Sequence, residues 1–305
     1  MQLDELAQYL RKHFLTNFIL LIFTSWTKKF YLMKDLRKLL PVLMAALAGI
    51  IALVVGNNPL AGPDNPVVSP VPIEDDLPKG QLAYLPTRVK GDQLIHHQYY
   101  TLSYSSKHQN PEWVAYELQG ARLEREHQEE RGSFHDDPKA NDPSSSIYSH
   151  SGYDRGHLAP AYDMNFNERA MRESFYMSNV TPQVPDFNRG IWKSLESQVR
   201  NWAKKERRLY VVAGPLLRER VSKNNRLKGT GPTIPRGFFK IVVDYEGREK
   251  KGIAFMFKNK DIDQPLENFV TSIDRVEAYT GIDFFPELTT KEQKQIEAKA
   301  DITRW

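Results

Sequence analysis

The feature that most constrains this chain is a repeated change of hydrophobic period. Between residues 99 and 257, short aromatic and β-branched runs alternate with stretches whose apolar residues recur at helical spacing. Tyr99–Tyr104 and Trp113–Leu118 read as a strand pair separated by the polar turn residues Lys107–Pro111. Leu209–Ala213 reads as a compact strand ended by Gly214-Pro215, and Phe238–Val243 and Gly252–Phe257 as two more around a Glu246-Gly247 turn. Glu168–Phe175 reads as a short helix. Asn188–Lys205 reads as a longer one, because Ile191, Leu195, Val199 and Trp202 recur at helical spacing. Phe269–Tyr279 is predicted to be a helix stopped by Gly281, and Lys291–Lys299 a charged, peripheral tail helix. Leu123–Ser151, charged and then rich in Asp, Pro and Ser, reads as a long loop. Antiparallel strands mixed with separate helices imply an α+β domain.

The N-terminal region has a different composition. Lys34, Arg37 and Lys38 precede an uncharged run whose strongly apolar part spans Leu39–Val55; the next charge is Asp64. A basic flank before an apolar run predicts a signal peptide or a single membrane anchor at about 34–56, within an N-terminal extension of residues 1–56. The folded part is then expected to be exported: periplasmic, extracellular or membrane-tethered outside the cytoplasm. A start at Met33 would give an ordinary signal-type N-terminus. Residues 57–90 carry Asn58-Pro59, Gly62-Pro63 and Asn65-Pro66 and read as a linker. The folded domain is expected over 91–288, with the tail helix in 289–305.

Composition narrows the chemistry. There is no cysteine, which excludes disulfides, thiolate metal sites and a cysteine nucleophile. A metal must therefore sit on oxygen or nitrogen ligands. The net charge of +4 and pI near 9.0 suit a polyanionic substrate, and suit plain solubility equally well.

One stretch concentrates reactive side chains. Asp154-Arg155-Gly156-His157 offers an imidazole that can act as a base near neutral pH, beside an arginine fork that can pair with phosphate. Ser178-Asn179-Val180-Thr181-Pro182-Gln183 follows, then Phe187-Asn188-Arg189-Gly190, Trp192 and Glu196. Asn188 opens the predicted helix and Glu196 lies about two turns along it, so both can face one side. An amide oxygen and a carboxylate suit Mg²⁺. Taken singly, Asn188 reads as a helix N-cap and Glu196 as part of a solvated face.

As an ordered set, these motifs resemble the DNA/RNA non-specific endonuclease family, the ββα-metal nucleases that include secreted sugar-non-specific nucleases and mitochondrial endonuclease G. The resemblance runs from about Tyr99 to Leu288 and includes Trp113-Val114-Ala115-Tyr116, Val211-Val212-Ala213-Gly214-Pro215 and Pro235-Arg236-Gly237-Phe238-Phe239-Lys240. It implies a ββα-metal fold with a central, mostly antiparallel sheet flanked by helices. It also implies endonucleolytic hydrolysis of DNA and/or RNA with Mg²⁺ or Mn²⁺, and leaves a homodimer open.

By resemblance, His157 is the general base and Asn188 the direct metal ligand. Glu196 holds the metal through water, and Asp154 orients that water network. Arg155 contacts phosphate, Asn179 supports the histidine, and Arg200 is a further phosphate-side arginine. Arg131 matches the upstream arginine that stabilises the transition state, with Arg122 and Arg125 close by in sequence. Arg189 carries no implied role. Two other readings remain in view: a phosphodiesterase acting on small nucleotides, and an inactive nucleic-acid-binding domain on a membrane anchor.

Overall fold

Alternation along the strands decides which side of the sheet each residue serves. The computed structural model describes residues 85–87, 92–124, 132–217 and 220–305. Seven strands form one sheet in the order β1 (Gln93–His96), β2 (Tyr100–Ser105), β3 (Asn110–Gln119), β6 (Arg208–Leu216), β7 (Gly237–Asp244), β8 (Lys251–Lys258) and β9 (Val270–Thr271). Every neighbouring pair is antiparallel. A separate ribbon pairs β4 (Asp154–His157) with β5 (Val180–Gln183).

The two faces carry two cores. Val114, Tyr116, Leu209, Val211, Ala213, Phe238, Val242 and Phe255 point to one side. There they meet Leu195, Val199 and Trp202 of helix α2 (Lys193–Glu206). Trp113, Ala115, Tyr210, Val212, Phe239, Ile241 and Val243 point to the other side. These pack against Ile273 and Val276 of helix α3 (Ile273–Thr280) and Ile296 of helix α4 (Thr290–Ile296). Each fully buried side chain of this size contributes about 1.5–3 kcal/mol. A smaller core of Tyr148, Met177, Val180 and Leu227 underlies the ribbon. A further helix, α1 (Glu168–Ser174), begins after Asn167, whose side chain caps the amide of Ala170.

Several sequence expectations change in detail. The helix expected over Phe269–Tyr279 begins only at Ile273, because Val270–Thr271 pairs with β8 and Ser272 caps the helix. Gly281, at φ 73°, ends it as expected. The C-terminal segment is not peripheral. Ile296 is fully buried, and Trp305 packs 5.1 Å from Trp202. The loop Leu123–Ser151 contains a helical turn at Ser145–Tyr148. Among the described residues no helix is long and apolar enough to cross a membrane; the apolar run at 34–56 lies outside them.

Candidate active site

The ribbon and α2 bring the sequence motifs together. Alternation along β4 puts Arg155 and His157 on one side and Asp154 and Gly156 on the other. The His157 ring lies 5.0 Å from Phe134 and 5.0 Å from Phe175. Arg155 shares the Phe134 ring at 5.6 Å, stands equally far from Tyr148, and donates to the carbonyl of Ser145 at 2.7 Å. Asn179 is fully buried and holds the chain just past His157. Its Oδ1 accepts from the Ala159 amide at 2.9 Å, and its Nδ2 donates to the carbonyls of Ala159 and Ser174 at 2.9 and 2.8 Å. Gly156 is required by close approach: a Cβ there would lie 2.2 Å from Cδ of the buried Gln183 side chain.

On the other side of β4, Asp154 organises the turn that carries Asn188. Asn188 Nδ2 donates to Asp154 Oδ2 at 2.9 Å, and Arg189 grips both Asp154 oxygens at 2.8 and 2.7 Å. Asn188 is not the N-cap of a straight helix. It sits in a wide π turn, Asn188–Trp192, broken at Gly190, whose φ −96° and ψ −111° are non-helical. Such turns re-aim side chains and recur at functional sites. The turn also directs Trp192 Nε1 toward the His157 carbonyl, 3.4 Å away.

One turn further along α2, Glu196 meets a residue that carried no role at the level of sequence. The Lys240 side chain has no exposure, and its Nζ lies 3.9 Å from Glu196 Oε1 and 4.4 Å from the Trp192 ring. Burial pushes Glu196 up to about 7. Lys240, Arg200 and Lys193 pull against that, and Asp163 adds to it. Burial likewise lowers Lys240, against the pull of Glu196 and Asp163. The signal for Lys240 was present in Gly237-Phe238-Phe239-Lys240-Ile241-Val242-Val243. It is the only charge in an apolar run and alternates with Phe238 and Val242, which face α2.

Arg200 turns inward. Its Nη1 donates to buried Asp163 at 3.0 Å and its Nη2 to Ser197 Oγ at 2.9 Å, with the guanidinium 5.4 Å from the exposed ring of Tyr162. Asp163 also accepts from Tyr116 Oη at 2.8 Å. Arg131 and Arg125 lie outside the described residues. The neighbouring Arg122 packs over Phe166 at 4.8 Å.

These donors suit a hard divalent cation. The Asp154 carboxylate takes the Asn188 NH₂ group, because a carboxylate only accepts. That leaves the amide oxygen directed away as a hard donor. Glu196, eight residues further along the chain, offers carboxylate oxygens, and no thiol competes.

The profile of the DNA/RNA non-specific endonuclease family matches residues 79–291. The chain belongs to this family. It is similar to a nuclease of Nostoc sp., 33% identical over 83% of this chain and 96% of that protein. It is also similar to the mitochondrial endonuclease G of Homo sapiens, 28% identical over 65% of this chain and 71% of that protein. A chain in the crystal structure of the EndoG/EndoGI complex superposes with a TM-score of 0.61 at 28% identity, covering 67% of this chain and 89% of that one. The protein is thus a nucleic-acid-hydrolysing enzyme of a divalent-metal-dependent family, with the expected α+β, ββα-metal architecture. Its relatives include both bacterial and mitochondrial nucleases.

Proposed function

We propose that the enzyme hydrolyses internal phosphodiester bonds of DNA and RNA, with His157 as general base and Mg²⁺ or Mn²⁺ held directly by Asn188 Oδ1 and through water by Glu196. The observation that carries this reading is the Asp154–Asn188 bond, which commits the amide nitrogen and presents the oxygen. The bound ion supplies Lewis-acid polarisation of the scissile phosphate and neutralises charge on the leaving oxygen.

The protein's own groups do the rest. His157, set between Phe134 and Phe175, takes the proton from the attacking water. Asn179 keeps the chain beyond His157 in place, so the imidazole does not drift. Arg155 pairs with a phosphate oxygen and, with Arg131, stabilises the added charge of the transition state. Arg200, held by Asp163, adds positive potential at the phosphate path. Asp154, neutralised by Arg189, orients the amide and the water network. None of these roles requires or excludes a 2′-hydroxyl, so the chemistry fits DNA and/or RNA.

We further propose that the enzyme is exported, or tethered with its catalytic domain outside the cytoplasm. The basic flank and apolar run at 34–56 support this.

The test is digestion of supercoiled plasmid and of ribosomal RNA by the full chain, with Mg²⁺ and with EDTA. Nicked and linear plasmid and shortened RNA are expected only with the metal. Cleavage that persists in EDTA contradicts the proposal.

A further inference from the structure

A cluster of carboxylates lies on the sheet face opposite the active site. Ile273, Val276 and Ile296 belong to the core on that face, whereas Trp192 and Leu195 belong to the core under the active site. Asp274 and Glu277 stand about one turn apart on α3, and Glu297 immediately follows α4. One carboxylate oxygen from each lies within 4.8 Å of the other two.

Three acidic residues near one another are common on protein surfaces, and two of these are at least partly accessible. Glu297 is different. It is 5% exposed, and its Oε1 is buried with no hydrogen-bond partner among the described residues. The charges acting on it share its sign: Glu277, Asp283 and Asp274 add to the effect of burial and push its carboxyl up to about 8. Glu277 is held near 7 by burial, with the Phe284 amide pulling against it and Asp283 and Asp274 reinforcing it. A buried carboxylate among carboxylates needs either a proton or a cation to neutralise it.

The geometry admits a cation. Ca²⁺ binds carboxylate oxygens at about 2.3–2.6 Å, so ligands of one ion stand at most about 4.6–5.2 Å apart. Separations of no more than 4.8 Å for all three pairs fall within that limit, so one ion can reach all three carboxylates. The backbone is preset as well. The Glu297 carbonyl accepts from the amides of Ile273 and Asp274 at 3.0 and 3.3 Å, fixing the end of α4 against the start of α3. The end of α4 also lies close against β8: a Cβ on Gly252 would stand 2.6 Å from the Ile296 carbonyl oxygen.

We propose that Asp274, Glu277 and Glu297 bind a Ca²⁺ ion that ties α3 to the end of α4. Water completes the shell on the open side, where Asp274 is exposed. This site is separate from catalysis and does not depend on how the catalytic residues are assigned.

The test uses the full chain carrying Asn188→Ala, which removes the proposed catalytic ion ligand. Ca²⁺ binding is measured by equilibrium dialysis, and thermal unfolding is followed with CaCl₂ and with EDTA. Saturable Ca²⁺ binding is expected, with a rise in Tm of about 5–10 °C at a hundredfold excess over Kd. Adding Glu297→Gln should weaken Kd at least about tenfold, the loss of charge-assisted ligation being the cause, and flatten the Tm response. Asp274→Asn, at an exposed position that should not disturb folding, should do the same. Absence of Ca²⁺ binding overturns the proposal, as does binding that survives both substitutions. A rise in Tm on Glu297→Gln in EDTA, with no response of the parent to CaCl₂, would show that a proton neutralises Glu297 and would equally overturn it.

Discussion

Asn188 and Asp154 are joined by a bond of 2.9 Å in which the amide nitrogen donates to Oδ2. The bond decides which end of the amide is left to face a metal. Asp154 keeps that role at low electrostatic cost because Arg189 holds both its oxygens.

Asp154→Asn should therefore act on metal affinity. The substituted amide can face Asn188 in either sense, so the ligand oxygen is no longer preset. The metal concentration for half-maximal plasmid cleavage should rise about 10–100-fold, the usual effect of losing an outer-shell partner. An unchanged metal titration curve would show that Asp154 does not orient Asn188.

Lys240→Met should expose how strongly Glu196 depends on its buried cation. Removing one partner of a buried pair leaves the other uncompensated, at a cost of about 3 kcal/mol. Lys240→Met/Glu196→Gln should recover more than half of that loss. Urea unfolding of the two single variants and the double variant gives the coupling. Simple additivity would mean that the 3.9 Å approach carries no energy.

Metal-free stability should fall with pH because of Glu196. Burial raises its carboxyl from 4.5 to about 7, so the folded state binds more protons than the unfolded state between those values. The favourable contribution is full below about pH 4.5 and is lost as pH rises through 7. The whole effect is on the order of 3 kcal/mol. In EDTA, wild type should lose about that much more stability than Glu196→Gln between pH 5 and pH 8. Parallel stability profiles would contradict the upward shift of the Glu196 carboxyl.

Much of this was legible in the sequence, for identifiable reasons. Short, nearly continuous apolar runs such as Phe238–Val243 announce core strands, and the helical recurrence of Leu195, Val199 and Trp202 announces α2. The ribbon β4–β5 was not legible as strands, because Asp154-Arg155-Gly156-His157 has no apolar alternation. Its residues serve the site, and a small satellite core supports them. The break at Gly190 was also hidden, since the apolar spacing Phe187, Ile191, Leu195 runs on across a backbone that is not helical at Gly190. The role of Lys240 was not legible because a motif residue in an apolar strand reads as part of the fold, although a lysine at a core-facing position needs a partner.

Gly156→Ala should be destabilising through one contact. Its Cβ would lie 2.2 Å from Cδ of Gln183, a residue with no exposure. A loss of about 3 kcal/mol is expected from such overpacking. Gly156→Ala/Gln183→Ala removes the clash and should regain much of the loss in urea unfolding. Equal losses in the single and double variants would place the strain elsewhere.

The central claim is that His157 supplies the base and Asn188 the metal oxygen at one phosphodiester-cleaving site. Its most direct test is the cleavage rate of full-length His157→Ala on supercoiled plasmid at saturating Mg²⁺, with DNA affinity measured in parallel. The expected result is a rate lower by about 10²–10⁴ with affinity nearly unchanged. Cleavage within a few-fold of wild type would contradict the assignment.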